Sequence, residues 1–176
     1  MLRIVAETGA DAVTHRRVAE VADLPLASTT YWFDSKEHLL TAALERAADR
    51  DIARLHAFLA GARHEVVDPL TVAVDAILEP VEQTGQASRG SLLATYALLL
   101  EAARRPALRS VTRRWTEAYL EALGRLLALA GSRDPPSDAA LLLAGADGLL
   151  VEQLATGDSS ELAPQLRRLA AALVKA

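Results

Sequence analysis

The sequence predicts an all-α protein of about nine helices and no strands, and three observations carry that expectation. Of the 176 residues, 51% are hydrophobic but only 4% aromatic, and the apolar set is mostly Leu and Ala, which are strong helix formers. Apolar residues recur at steps of three to five, the spacing of one helix face. Gly, Pro and capping residues punctuate the chain at helix-length intervals.

The first helix is residues 2–8, with Leu2, Val5 and Ala6 at core-like spacing and Gly9 as its stop. The chain enters it at Met1 with the helix already under way. After the connector Ala10–Val13, Thr14 is placed to cap a helix from Arg16 to Ala22, its side-chain oxygen accepting a free backbone N–H. Val18, Val21 and Ala22 are expected inward. Asp23 sits where the backbone visits the left-handed region, which Asp tolerates better than most residues. Leu24-Pro25 turns a corner, because a residue before Pro avoids helix and Pro suits a first helical position. Leu26 to Trp32 is then a short helix whose surface is Ala27, Ser28, Thr29, Thr30 and Tyr31. Three adjacent hydroxylated residues are poor helix formers, so their presence asks for a reason. Phe33 closes onto the core, and Asp34 or Ser35 caps a long helix carrying Leu40, Leu44, Ala47, Ile52, Leu55 and Leu59 to Gly61.

Asp68-Pro69 starts the next helix, which Pro80 should kink or end early. Residues 84–90 read as a loop rich in Gly, Ser and Gln. Leu92 to Ala103 is apolar enough to predict burial on most sides. Arg104-Arg105-Pro106 breaks the chain before a helix from Leu108 to Ala130. Ser137 or Asp138 should cap the helix Ala139–Ala155, which is apolar nearly all round and therefore buried or at an interface. Leu162, Leu166, Leu169 and Leu173 mark a last helix over 161–174.

Composition narrows the function classes. The chain has no cysteine, which removes disulfides and thiolate metal sites and makes an intracellular, cytoplasmic location the expectation. Met1–Glu7 shows no secretory signal. The runs Leu92–Leu100 and Leu141–Leu154 are interrupted by Thr95 and Tyr96, and by Asp147 and Glu152. A span needs about 18 or more apolar residues without charge, so no membrane association is expected. The formal net charge is −4. Residues 1–46 hold five cations (Arg3, Arg16, Arg17, Lys36 and Arg46) against seven carboxylates. A non-specific, charge-driven nucleic-acid binder is thereby disfavoured. His38, His56 and His64 show no metal-type pairing, so no metal is expected. No paired carboxylates, nucleophile with adjacent base or Gly-rich phosphate loop appears, so neither an enzyme nor a cofactor is expected.

Residues 2–44 resemble the DNA-binding domain of the TetR family of bacterial transcription regulators. The matching pieces are Ala6-Glu7-Thr8-Gly9, then Val13 through Ala19, then Pro25 through Phe33, then Ser35-Lys36-Glu37-His38-Leu39-Leu40. The resemblance implies a helix-turn-helix reader over 1–45 and an effector-binding and dimerisation domain over 46–176. It implies a homodimer paired through the helices at 139–155 and 161–174, a palindromic double-stranded operator, and a small-molecule effector whose binding releases DNA. The expected function is a ligand-responsive repressor. In that family the first helix is longer and follows a basic arm. The start at Met1 therefore implies either a shortened chain or a member lacking the arm, and the alternative is a ligand-binding or dimerisation protein with impaired or lost DNA binding.

The expected DNA-contacting residues are Thr14, His15, Arg16, Ala27, Ser28, Thr29, Thr30, Tyr31, Trp32 and Lys36. Thr14 and Arg16 start the second helix, where free N–H groups and the dipole favour a phosphate. The resemblance assigns Lys36 a phosphate. Ser28, Thr29 and Thr30 are short enough to bring a helix close to base edges, and a Thr methyl can meet a thymine methyl. His15 is either a phosphate contact or solvated, and Tyr31 and Trp32 are either phosphate contacts or core. Candidate effector-pocket residues are Glu79, Gln83, Tyr96, Trp115, Tyr119, Asp147 and Gln153, as amphipathic side chains that can point inward from the central helices. For each of these, ordinary packing is the competing reading.

Overall fold

The structure, a computed structural model, describes residues 1–62, 68–82, 86–158 and 160–175. Among the described residues the chain is all-α, with nine α-helices, one 3₁₀ turn and no strand. The helices are α1 Leu2–Thr8, α2 His15–Ala22, α3 Leu26–Trp32, α4 Lys36–Ala62, α5 Pro69–Glu82, α6 Gln86–Arg104, α7 Pro106–Leu129, α8 Pro135–Thr156 and α9 Leu162–Lys175. The 3₁₀ turn is Ala10–Ala12, between α1 and α2.

The chain forms two compact units, Met1–Arg50 with Thr84–Trp115, and Asp51–Gln83 with Thr116–Ala176. In the first, α1 lies on α6 and α2 packs on α3. Its core is Ile4, Val5, Val13, Ala19, Leu39, Leu40, Leu44, Leu98 and Leu108. Removing side chains of this kind from water is the main favourable term in folding. In the second unit α9 packs on both α5 and α8. Buried stripes at helical spacing run along α8 (Ala139, Leu142, Ala146, Leu150) and α9 (Leu162, Leu166, Ala170). At Gly145, on the α9 side of α8, an added Cβ would run into the tip of the Leu169 side chain, which would have to turn aside.

The rest of α8 is not buried. Leu141, Ala144, Gly148, Val151 and Ala155 are all exposed, with Leu141 at 56% and Val151 at 48%. They repeat at alternating steps of three and four, which aligns them in one seam. The helix expected to be apolar on nearly every side thus buries one stripe and presents another. By length and composition alone α8 is apolar enough to cross a membrane, with a mean hydropathy of 1.3 over its best 18-residue window, and 22% of that window is buried. Asp147 and Glu152 stand exposed on it, and a helix that packs one stripe against a neighbour meets the same measure of length and composition.

Several expected boundaries shift for identifiable reasons. Residues 86–90 are the first turn and a half of α6, not loop. Pro80 sits in the last turn of α5, which continues to Glu82. The α8 helix begins at Pro135 on an Asp134 cap that accepts from Ser137 N at 3.4 Å, four residues before the expected start. Prolines are free to occupy a first turn because its N–H groups have no helical partner. Within α6, Leu93 and Leu100 are exposed, so its burial is one-sided. On α2 the inward residue is Ala19, while Ala22 is exposed.

Candidate nucleic-acid interface

The α2–turn–α3 segment is built by local rules. Thr14 is extended and its Oγ1 accepts from Arg17 N at 3.1 Å, capping α2. Asp23 ends that helix at φ 54° and ψ 47°, and it is the one non-glycine residue at positive φ among the described residues. Its N–H donates back to the carbonyls of Ala19 and Glu20, which closes the C-terminus. Pro25 follows at φ −59° and opens α3.

The three adjacent hydroxyls have different destinations. Thr29 is 4% exposed. Its Oγ1 donates toward His15 O at 3.2 Å and Leu26 O at 2.9 Å, pinning α3 to the first turn of α2. The expectation that Thr29 is presented with its neighbours is therefore corrected: its hydroxyl satisfies carbonyls inside the reader, as a buried polar group must. Thr30 is exposed, and its Oγ1 lies 3.3 Å from Leu26 O and 3.2 Å from Ala27 O. Ser28 is half-buried and Ala27 exposed. Tyr31 and Trp32 are 77% and 69% exposed and meet edge to face at 5.1 Å. Of their two readings, the surface one holds for both.

The cations stand at helix starts but are not idle. Arg16 Nε lies 3.1 Å from Glu20 Oε1, and Arg17 Nη1 lies 3.6 Å from Glu20 Oε2. Lys36 Nζ donates to Asp11 O at 2.7 Å and lies 3.6 Å from Asp11 Oδ1. Arg105 Nη2 approaches the same carboxylate at 3.9 Å. Exposed pairs of this kind are worth about 0–1 kcal/mol, so a phosphate can replace the carboxylates. Asp11 and Lys36 are 25 residues apart, so no local pattern marks them as partners. His15 is half-buried and its Nδ1 is enclosed without a hydrogen-bond partner among the described residues, so it is not a simply solvated side chain. On α4, Ser35 is the cap, its Oγ accepting from His38 N at 3.1 Å.

The candidate effector residues are divided between the two units. Glu79 and Tyr119 come together in the second unit. Tyr119 donates from its hydroxyl to Asp51 Oδ2 at 2.8 Å, Arg54 Nε lies 2.6 Å from Glu79 Oε2, and Arg54 also pairs with Asp51. This chain of polar groups borders an apolar cluster of Leu55, Ala76, Ala122, Phe58 and Leu59, in which Tyr119 takes part. Asp51 and Arg54 were missed in the sequence; an acid and a base three apart on the inner side of a long helix were the available signal. Trp115 is buried and Tyr96 half-buried, both in the first unit. Asp147 is exposed on α8, which corrects its inward placement. Gln153 is half-buried with its Oε1 enclosed. Gln83 lies outside the described residues.

Residues 70–176 match the tetracyclin repressor-like C-terminal domain family. Among solved structures, the multidrug binding protein EbrR complexed with imidazole is 32% identical, with 98% of this chain and 89% of that chain covered and a TM-score of 0.73. A transcriptional regulator from Streptomyces coelicolor A3(2) is 28% identical, with 98% and 92% covered and a TM-score of 0.73. A transcriptional regulator from Rhodococcus sp. Rha1 superposes at a TM-score of 0.87 over 99% and 91% of the two chains; at 22% identity this is a likeness of fold. No curated protein matches the chain by sequence.

Proposed function

Because the chain belongs to the TetR family of transcription regulators, we propose that it is a ligand-responsive DNA-binding repressor. It acts as a homodimer on a palindromic operator, and a small molecule releases it. Residues 1–45 read DNA, and residues 46–176 bind the effector and dimerise. The observation that carries this reading is the outward face of α3, with Ala27, Thr30, Tyr31 and Trp32 exposed, and an exposed Arg16 at the start of the α2 helix that packs on it. A helix of this kind in a helix-turn-helix enters the major groove, and the cations at neighbouring helix starts hold phosphates. Thr14, His15 and Ser28 border that face, while Thr29 supports it from within.

The exposed seam of α8, Leu141, Ala144, Gly148, Val151 and Ala155, supports dimerisation through the helices at 139–155 and 161–174. A contiguous apolar stripe of this size is uncommon on a monomer surface. The effector reading is supported by EbrR, which has been crystallised with ethidium, malachite green and proflavin, and by the Tyr119–Asp51–Arg54–Glu79 chain beside an apolar cluster. A cytoplasmic location follows from the same role.

The acidic balance of the head favours a second reading, a dimeric ligand-binding protein that no longer holds DNA. One experiment separates the two. The chain is titrated onto duplex from the region upstream of its own gene at low salt, and ethidium, malachite green or proflavin is then added. Binding that weakens with salt and with one of these compounds supports the repressor. Tight binding of a compound without any DNA binding supports the second reading.

A further inference from the structure

The outward face of α3 has a chemistry that selects among base pairs. Between Asp23 and Phe33 the chain has no Arg, Lys, Asn or Gln. The side chains that pair bidentately with guanine or adenine in the major groove are therefore absent from the reading helix. The exposed residues are Leu26, 50% accessible, then Ala27, Thr30, Tyr31 and Trp32, and the spacings of Leu26, Ala27, Thr30 and Tyr31 place them in two adjacent rows on one side of the helix. The hydroxyl of Thr30 is turned back onto the carbonyls of Leu26 and Ala27. Its one proton is committed to its own helix, which leaves the oxygen as an acceptor and the γ-methyl as its apolar substituent. Thr29 is buried and spent on His15 and Leu26, and Ser28 is half-buried. The row of Leu26, Ala27 and the Thr30 methyl is thus aliphatic, with the Tyr31 phenol and the Trp32 indole at the C-terminal end of the helix. Arg16 and Arg17, on α2, reach Glu20, and Lys36, on α4, reaches Asp11; none of them belongs to the α3 face.

Of the groups displayed in the major groove, one is apolar: the C5-methyl of thymine. We infer that this protein specifies its operator through thymine methyls, contacted by Leu26, Ala27 and the methyl of Thr30, and not through bidentate pairing of α3 side chains to guanine or adenine. The inference rests on the DNA-binding reading above. It adds the class of base pair and the residues that choose it.

The test begins with selection of bound duplexes from a random library by the full chain. Thymine is expected at fixed positions in both half-sites. Replacing such a thymine by deoxyuridine deletes the methyl alone and should weaken binding about three- to fivefold per position, and about ten- to twenty-five-fold when one is replaced in each half-site. At the same position 5-methylcytosine should bind more tightly than cytosine, since it restores the methyl on a different pair. Thr30→Ser should bring the thymine-to-deoxyuridine ratio close to one at one position, whereas Thr30→Val should retain it. A selected operator that binds equally well with deoxyuridine throughout overturns this inference and leaves DNA binding standing. A selection that enriches no sequence overturns both.

Discussion

Thr29→Val separates a residue that builds the reader from one that reads. The Thr29 hydroxyl has one proton and two carbonyls within reach, Leu26 O at 2.9 Å and His15 O at 3.2 Å, in a side chain 4% exposed. Valine keeps the branched shape and removes the bond. Leu26 O retains Thr30 Oγ1 at 3.3 Å, and a carbonyl in the first turn of α2 has the helix ladder to itself. The loss is therefore that of one ordinary hydrogen bond and not of an orphaned group, about 1 kcal/mol. For a chain of this length that lowers Tm by about 2–4 °C. Thr29→Ala also deletes a buried methyl and should cost roughly 2 kcal/mol. Thermal unfolding followed by circular dichroism reads the stability, and selection from a random duplex library reads the sequence preference. The expected outcome is a lower Tm with the same preferred sequence. A Thr29→Val protein of unchanged Tm with an altered sequence preference would refute the placement of this hydroxyl inside the reader.

Three further predictions follow from contacts at other points of the chain. Lys36→Gln should weaken binding to all sequences alike and reduce the salt slope by about 1, whereas Asp11→Asn removes the carboxylate beside Lys36 while keeping its bond to the Asp11 carbonyl and should tighten binding; anisotropy titrations at several salt concentrations check both. Gly145→Val should destabilise by about 1–3 kcal/mol, since the Leu169 side chain must turn aside for the added atoms. Gly148→Ala meets nothing within 4 Å and should raise the stability of the isolated chain by up to about 1 kcal/mol through helix propensity, as denaturant unfolding of the two variants side by side would show. Leu141→Glu with Val151→Glu places charges along the exposed seam of α8 and should convert the dimer to monomer in sedimentation velocity without loss of helix content.

The helix order was legible because it follows local rules. Thr14 and Ser35 cap, Asp23 turns left-handed and Pro25 opens a helix for reasons that reside within a few residues. What was not legible depends on partners far along the chain. Ser28, Thr29 and Thr30 look alike in sequence, and only the register of α3 against His15 decides that the middle hydroxyl turns inward. Lys36 reads as a free cation until Asp11 is folded beside it. Asp51 and Arg54 read as surface charges until Tyr119 and Glu79 arrive from other helices. Ser137 or Asp138 reads as the cap of α8 because two prolines precede it, whereas at a first turn Pro135 and Pro136 belong to the helix and Asp134 caps it. The apolar run on α8 gave the interface expectation but not its line; separating the buried stripe from the exposed seam requires knowing where α9 lies.

The central claim is that this chain, paired with a second copy, holds a specific duplex through α3. The most direct measurement is a stoichiometric anisotropy titration on labelled duplex from the region upstream of its gene, at about 50 mM salt, where phosphate contacts are strong. The account predicts saturation at two chains per duplex, or a multiple of two, with affinity falling as salt rises. Absence of binding at low salt, or saturation at one chain per duplex, would contradict it.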